Sequence, residues 1–298
     1  VKTITVSSPA KINLFLEVIC KRSDAYHEVK TYMVPIDVRD EVTITRTAGR
    51  AIMVACDRPE VPAGKDNLVY RAAAGFFKSA GIPRRGLRIS IVKRIPVAAG
   101  LGGGSGNAAA ALRGLNKLYG NPLTRGELMR TAALLGADVP FFLHTGGALC
   151  VGRGDEVIPL PCPKAFWVVL AVPRVDRGTK SVKTHKTAGM YRSLNLGLTK
   201  DIRAINMLLY ALECCDLDKI GRALFNRIEK VAFRKNSRLK HLCAAFIKGG
   251  ASGALLSGSG PTVYAIVASR NDAGALRKKI EPKFGAEFSF FTAKVPAG

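Results

Sequence analysis

Apolar and polar residues alternate at the start of the chain. Thr3–Val6 alternates, and from Ile12 to Cys20 the residues Ile12, Leu14, Leu16 and Val18 share one face, so both segments predict strands. Glu41–Thr47 and Arg88–Val92 alternate in the same way. Between them Asn67–Ser79 changes to helical spacing, with Leu68, Ala72, Phe76 and Phe77 on one side and Asp66 at the expected N-cap. Five glycines within Gly100–Gly106 predict a loop. The stripe Ala108, Leu112, Leu115, Tyr119 predicts the helix after it, with Gly120 as its cap. Thr124 and Glu127 form a capping box for a helix running to about Leu135, which Gly136 closes, and Val139-Pro140 predicts extended backbone. Phe166–Val172 is apolar throughout and predicts a strand buried on both faces. Helices are expected over Ile202–Cys214 and Leu217–Val231. Gly253–Gly258 then leads through a Ser/Gly turn into a strand over Thr262–Ala268. The proline cluster at Pro159–Pro163 marks a boundary, dividing the chain into 1–160 and 161–298.

Composition adds charge to this outline. With 298 residues, 48% of them hydrophobic, the chain can bury substantial cores. Its 46 Lys and Arg against 22 Asp and Glu give a formal net charge of +24, spread along the chain, and a field of that sign draws polyanions. Two basic stretches, Arg174–Arg192 and Gly221–Lys240, raise nucleic-acid binding as a lesser alternative. Neither has interleaved aromatics or a reading motif. The seven cysteines include no CxxC pair and mostly sit among apolar residues, which predicts buried free thiols in a reducing compartment rather than zinc ligands. No segment approaches ~18 uninterrupted apolar residues, so no membrane partner is expected. Val1–Lys11 reads as a strand rather than a leader, leaving the cytoplasm as the expected compartment.

Four segments could carry chemistry. From Pro96 the run Pro96-Val-Ala-Ala-Gly100-Leu101-Gly102-Gly103-Gly104-Ser105-Gly106-Asn107 enters an Ala-rich helix. Glycines admit close backbone approach, and a helix N-terminus offers unpaired N–H groups, so the pair predicts a cradle for nucleotide phosphates. It lacks the Gly-Lys-Ser/Thr ending of a Walker loop, and a dinucleotide fingerprint fits poorly because its third glycine falls on Ser105. Lys11 and Asn13 leave the first long strand opposite its apolar stripe, though alone they read as surface groups. Asp138 is a lone carboxylate between Leu135 and Phe142; alone, it reads as a helix-end residue making local turn bonds. Ser257–Thr262 is either a second anion-facing turn or simply a tight one.

Order and spacing together change these readings. SPAKINLFLEV, Arg22-Ser-Asp-Ala-Tyr26-His27-Glu28, GLGGGSGNAA, LGADVPFF and LSGSGPTVY, spread from about Ser7 to Ile266, resemble the GHMP kinases. Within that family they are similar to the branch acting on a cytidine-diphosphate-linked methylerythritol. The resemblance implies a two-domain α+β fold, with a ribosomal-S5-like N-terminal and a ferredoxin-like C-terminal domain, and transfer of phosphate from ATP with Mg²⁺ to a small-molecule alcohol. It implies Asp138 as catalytic base, Lys11 as its partner and Asn13 as a substrate-placing group. Tyr26 and His27 are implied to hold cytosine, Asn67 and Lys93 to line the adenine pocket, and Pro96, Gly100–Ser105 and Asn107 to hold the nucleotide. Ser105 is the one loop side chain implied for the metal, and Thr179 matches a further substrate-binding position. Three departures stand out: Ala25 replaces a glycine, Gly106 replaces a second serine, and an Asn-Asp-Leu-Glu element is present as Asn226-Arg227-Ile228-Glu229.

Overall fold

A computed structural model describes residues 2–160, 164–174, 187–194 and 202–297. The two alternating N-terminal segments are pieces of one strand. β1 spans Thr3–Lys21 and runs antiparallel to β2, His27–Thr47. Register shifts at Pro9/Ala10, Asn13/Phe15 and Val18/Cys20 interrupt the pairing. The alternation puts Ile12, Leu14, Leu16 and Val18 on one face, but the shift after Asn13 divides them: Ile12 and Leu14 pack in one core, Leu16 and Val18 in another. β3 (Ile52–Cys56), β4 (Gly86–Val92), β5 (Ala148–Val151) and β6 (Glu156–Pro159) extend this sheet. β7 (Phe166–Pro173) opens a second sheet, while the two-residue β8 (Phe225–Asn226) returns to the first. β9 (Gly253–Leu256), β10 (Val263–Val267) and β11 (Phe288–Val295) complete the second sheet. The first sheet has the order β3-β4-β2-β1-β8, with β5 pairing β2 and β6 pairing β5; the second is β11-β7-β10-β9, antiparallel throughout.

Helices α1 (Leu68–Ser79), α2 (Gly103–Leu118) and α3 (Arg125–Leu135) belong to the first half. Val69, Ala72 and Phe76 of α1 and Ala108–Leu112 of α2 form one core with Val42, Ile44, Leu87 and Ile89. The later helices are α4 (Thr187–Arg192), α5 (Ile202–Glu213), α6 (Leu217–Ala223), α7 (Glu229–Lys235), α8 (Ser237–Gly249) and α9 (Arg270–Phe284). β7 is apolar throughout because its two faces serve two cores. Phe166, Val168 and Leu170 pack with Leu208 of α5 and with Ile12 and Leu14 of β1, whereas Val169 and Ala171 pack with Phe246 of α8 and Phe284 of α9. The first of these cores joins both sheets.

Several expectations need correction. The cap of α1 is Asn67, whose Oδ1 accepts from Val69 N at 2.8 Å, while Asp66 ends a preceding 3-10 turn. The Gly-rich run is only half loop, since α2 begins at Gly103; the run Ala108–Ala111 that follows supplies enough propensity to hold three glycines in its first turn. Val139 is helical rather than extended and leads into a 3-10 turn over Pro140–Leu143. The helix expected over Leu217–Val231 is two helices separated by β8, because Phe225 and Asn226 satisfy their backbone on β1. Among the described cysteines only Cys150 is buried; Cys20, Cys214 and Cys215 lie exposed at the ends of elements.

Candidate active site

Among the described residues, every predicted site residue lines one cavity of about 1210 Å³. Thr179 lies outside them. One wall starts on β1, where strand alternation points Lys11 and Asn13 to the face opposite Ile12 and Leu14. Both are buried, unlike the surface groups their segment alone suggests. Lys11 Nζ donates to Asn13 Oδ1 at 2.7 Å, Asn13 Nδ2 donates to Thr31 Oγ1 at 2.7 Å, and that hydroxyl donates to Phe15 O at 2.7 Å. Asp138 reaches the same ammonium at 3.6 Å. Its side chain is 39% exposed against 5% for Lys11, so the carboxylate opens to the cavity and the lysine is enclosed.

The Gly-rich segment forms the adjoining wall. Gly100 and Gly102 adopt φ +78° and +72°. At Gly102 a Cβ would stand 2.7 Å from the Phe142 ring and 3.0 Å from the Lys11 stem, so both backbone sign and space require glycine. α2 begins there without a side-chain cap, and its first N–H groups lack intrahelical acceptors. Lys11 N donates to Leu101 O at 3.0 Å and ties the loop to β1. Gly106 has a local explanation: a Cβ would meet Ser8 Oγ at 2.6 Å and Pro9 O at 3.0 Å. The buried Ser8 hydroxyl occupies the room a second loop serine would need.

Behind the loop, sequence reading missed Asp40. Its buried carboxylate pairs with Lys93 Nζ, accepts Asn107 Nδ2 at 2.9 Å, and accepts the amides of Arg94 and Ile95 at 2.8 Å each. Asp40 has the same parity as Val42 and Ile44, and an acid in a buried stripe was the available signal. Lys93 and Asn107 therefore face the cavity while anchored from behind, and Asn67 does so while capping α1 and donating to Pro62 O at 2.7 Å.

Tyr26 ends the turn between β1 and β2, and His27 opens β2. Ala25 takes φ +65°, the conformation a glycine would supply, and Asp24 Oδ1 steadies the turn by accepting Tyr26 N at 3.1 Å. Tyr26 is 52% exposed, with the Arg153 guanidinium 5.0 Å above its ring. Arg153, flanked by glycines and paired with Asp155, was not anticipated. Nor was Tyr191, whose ring lies 5.1 Å from His27 and lines the cavity. It comes from a turn-rich stretch without periodicity. Burial, helped by the positive charge of Lys21, lowers the His27 pKa and favours a neutral imidazole. Burial and the nearby Asp138 charge raise the Tyr191 phenol. Overhead, the Ser257–Gly260 turn packs on the loop: Ser257 Oγ donates to Gly100 O at 3.1 Å, and a Cβ on Gly100 would strike Ser257 O at 2.5 Å. Among the described residues no group of three or more His, Cys, Asp or Glu could hold a metal, and no helix is long and apolar enough to cross a membrane.

Known proteins share this arrangement. Residues 67–146 match the GHMP kinases N terminal domain and residues 208–287 the GHMP kinases C terminal domain. A Staphylococcus aureus (strain bovine RF122 / ET3-1) protein named "Putative 4-diphosphocytidyl-2-C-methyl-D-erythritol kinase" is 37% identical over 90% of this chain and 91% of its own. A crystal structure of 4-(cytidine 5'-diphospho)-2C-methyl-D-erythritol kinase superposes with a TM-score of 0.78 at 31% identity, covering 99% of this chain and 100% of the other. The homoserine kinase of Cytophaga hutchinsonii, at 20% identity, TM-score 0.79 and coverage of 99% and 95%, shares the fold. By its two matched domains, its 37% relative and its two-sheet architecture, the chain belongs to the GHMP kinases.

Proposed function

We infer that this kinase transfers the γ-phosphoryl group of ATP to the 2-hydroxyl of 4-diphosphocytidyl-2-C-methyl-D-erythritol, a step of isoprenoid precursor synthesis. The observation that carries the reading is the joining, in one cavity, of a Gly-rich loop, the Lys11–Asp138 pair and a turn presenting Tyr26 and His27. The loop suits the nucleotide phosphates. The turn suits a pyrimidine: an exposed aromatic face for stacking, beside a neutral imidazole with one donor and one acceptor. A sugar, homoserine or mevalonate substrate has no use for that end.

The chemistry asks chiefly for alignment and charge neutralisation. The alcohol oxygen bonds to the γ-phosphorus as the bond to the β-phosphate bridging oxygen breaks, and its electrons leave with ADP. The alcohol proton passes to Asp138, which the open side of the cavity lets approach the substrate. Lys11 holds positive charge beside the transferring group, and Asn13 both fixes Lys11 and places the hydroxyl. The α2 amides and Ser105 hold phosphate oxygens. Mg²⁺ would arrive on the nucleotide and neutralise phosphate charge. The sparse carboxylates of the cavity would suit an ion carried mainly by the nucleotide, and Ser105, the one hydroxyl of the loop, would help hold it. We further place the division between the two domains at about residue 160, after the last strand of the first half.

Incubation with ATP, Mg²⁺ and separately the cytidine alcohol, mevalonate or homoserine, with product mass read by spectrometry, tests the reading. Phosphorylation of the cytidine alcohol alone is expected. Preference for another alcohol overturns the substrate assignment.

A further inference from the structure

The segment Asn226–Glu229 departs from the family pattern, yet its bonds converge on the proposed transfer site. Phe225 and Asn226 pair in parallel with Phe15 and Leu16 of β1, and Arg227 N donates to Leu16 O at 2.8 Å. The Asn226 side chain, 5% exposed, is fully engaged. Its Nδ2 donates to Leu256 O and to Gly258 O, both at 2.8 Å, and its Oδ1 accepts Ile228 N at 2.9 Å. Glu229 Oε1 accepts Leu256 N at 3.3 Å from the other side. Gly258, at φ +57°, lies directly over the reacting groups: a Cβ there would stand 3.2 Å from both Lys11 Nζ and Asn13 Oδ1.

We propose that Asn226 is a positioning residue for phosphoryl transfer, holding the Ser257–Gly260 turn over Lys11 and Asn13 through the Gly258 carbonyl. Two carbonyls meeting at one buried point require two donors from one short side chain, which asparagine supplies and aspartate does not. The neighbouring departure leaves this intact, because the Arg227 guanidinium turns away to Glu17, 3.8 Å off. The turn is thus gripped twice, by β8 on one side and by the Gly100 contact on the other. The proposal rests on Lys11, Asn13 and Asp138 being the transfer site.

The test is steady-state kinetics on the full chain, normalised to active sites. Asn226→Ala releases the turn, and a shift of about 1 Å at the Lys11–Asn13 pair should lower kcat roughly tenfold or more. KM for the cytidine alcohol should stay within about threefold, because Tyr26 and His27 grip its other end. A residue that serves only folding would lower the active fraction and leave kcat per active site unchanged, and that result overturns the proposal. Should Asn226→Ala fail to fold, Asn226→Gln keeps both donors on a longer stem and displaces the turn without orphaning the carbonyls. The same kcat loss is expected, and a wild-type kcat overturns the proposal. Combination with Gly258→Ala should lose less than the product of the single losses; fully multiplicative losses would mean that Asn226 does not act through Gly258. Asp138→Asn is the control: if it retains full rate, the site assignment itself fails. If it is inactive while the Asn226 variants keep a wild-type kcat, only the present proposal fails.

Discussion

Asp138 and Lys11, proposed as base and partner, differ in exposure. The lysine is enclosed and bonded to Asn13, while the carboxylate faces the space where an alcohol would sit. Asp138→Asn keeps shape and removes the proton acceptor, so kcat should fall ~10²- to 10⁴-fold with folding and ATP binding nearly unchanged. Lys11→Met should also lower kcat, and the double variant should lose less than the product of the two, since groups acting as one unit are not additive. Isothermal titration with ATP beside the kinetics separates lost chemistry from lost binding. At the far end of the cavity, Tyr26→Ala should weaken binding of the cytidine alcohol by about 1–3 kcal/mol and leave ATP affinity alone. Equal losses for both ligands would make Tyr26 a scaffold residue. These positions were legible in sequence because each stands in a short, ordered motif. Asp40, Arg153 and Tyr191 were not, because their neighbours in space come from other parts of the chain: Asp40 answers to Lys93 and Asn107, and Tyr191 to His27.

Elements were legible where one face alone is buried and the register is unbroken. α1 and β4 follow their periodicities closely, and α3 follows its capping box. β1 did not, because the shift after Asn13 divides its apolar stripe between two cores, and the α6–α7 region did not, because two residues leave a helical pattern to pair with β1. α7 has an acid at its start with a consequence for stability. Burial pushes the Glu229 carboxyl up from its ordinary value of 4.5 to about 7, partly offset by the bond it accepts from Leu256 N. A carboxyl raised in the folded state binds its proton more tightly there than in the unfolded chain. The stability it contributes is complete below about pH 4.5 and is lost as pH rises through 7. Glu229→Gln can keep the bond from Leu256 N without the charge. It should leave stability at pH 4.5 nearly unchanged and raise it at pH 8 by at most about 3 kcal/mol. Urea unfolding at the two pH values checks this; equal destabilisation at both would show that packing, not titration, governs the site.

At the scale of the whole molecule, a net charge of +24 meets two polyanionic ligands. If that field steers them, kcat/KM measured where association limits the rate should fall ~3-fold or more between low and physiological salt, at constant free Mg²⁺. A flat response would separate the charge from substrate capture. The two halves carrying this charge share a core, and single bonds cross between them: Tyr264 Oη donates to Asn13 O at 2.7 Å, and Lys294 N to Asp37 Oδ1 at 2.7 Å. Phe166–Val172 showed in sequence that β7 is covered on both faces, but not that one cover is β1.

The parallel pairing of β8 with β1 also sets a timetable for the chain as it leaves the ribosome. Phe15 meets Phe225, about 210 residues later, so at typical translation speeds the edge of β1 waits roughly 10–40 s for its partner. During that interval β1 lacks its second partner at Phe15 and Leu16, leaving there a short open edge of the kind that other strands and chaperones recognise. The phosphate loop and Asp138 emerge early, and the turn that covers them emerges only near residue 260. Catalytic competence is therefore among the last properties the nascent chain acquires, and a product of early termination would carry most of the chemical groups without the means to align them.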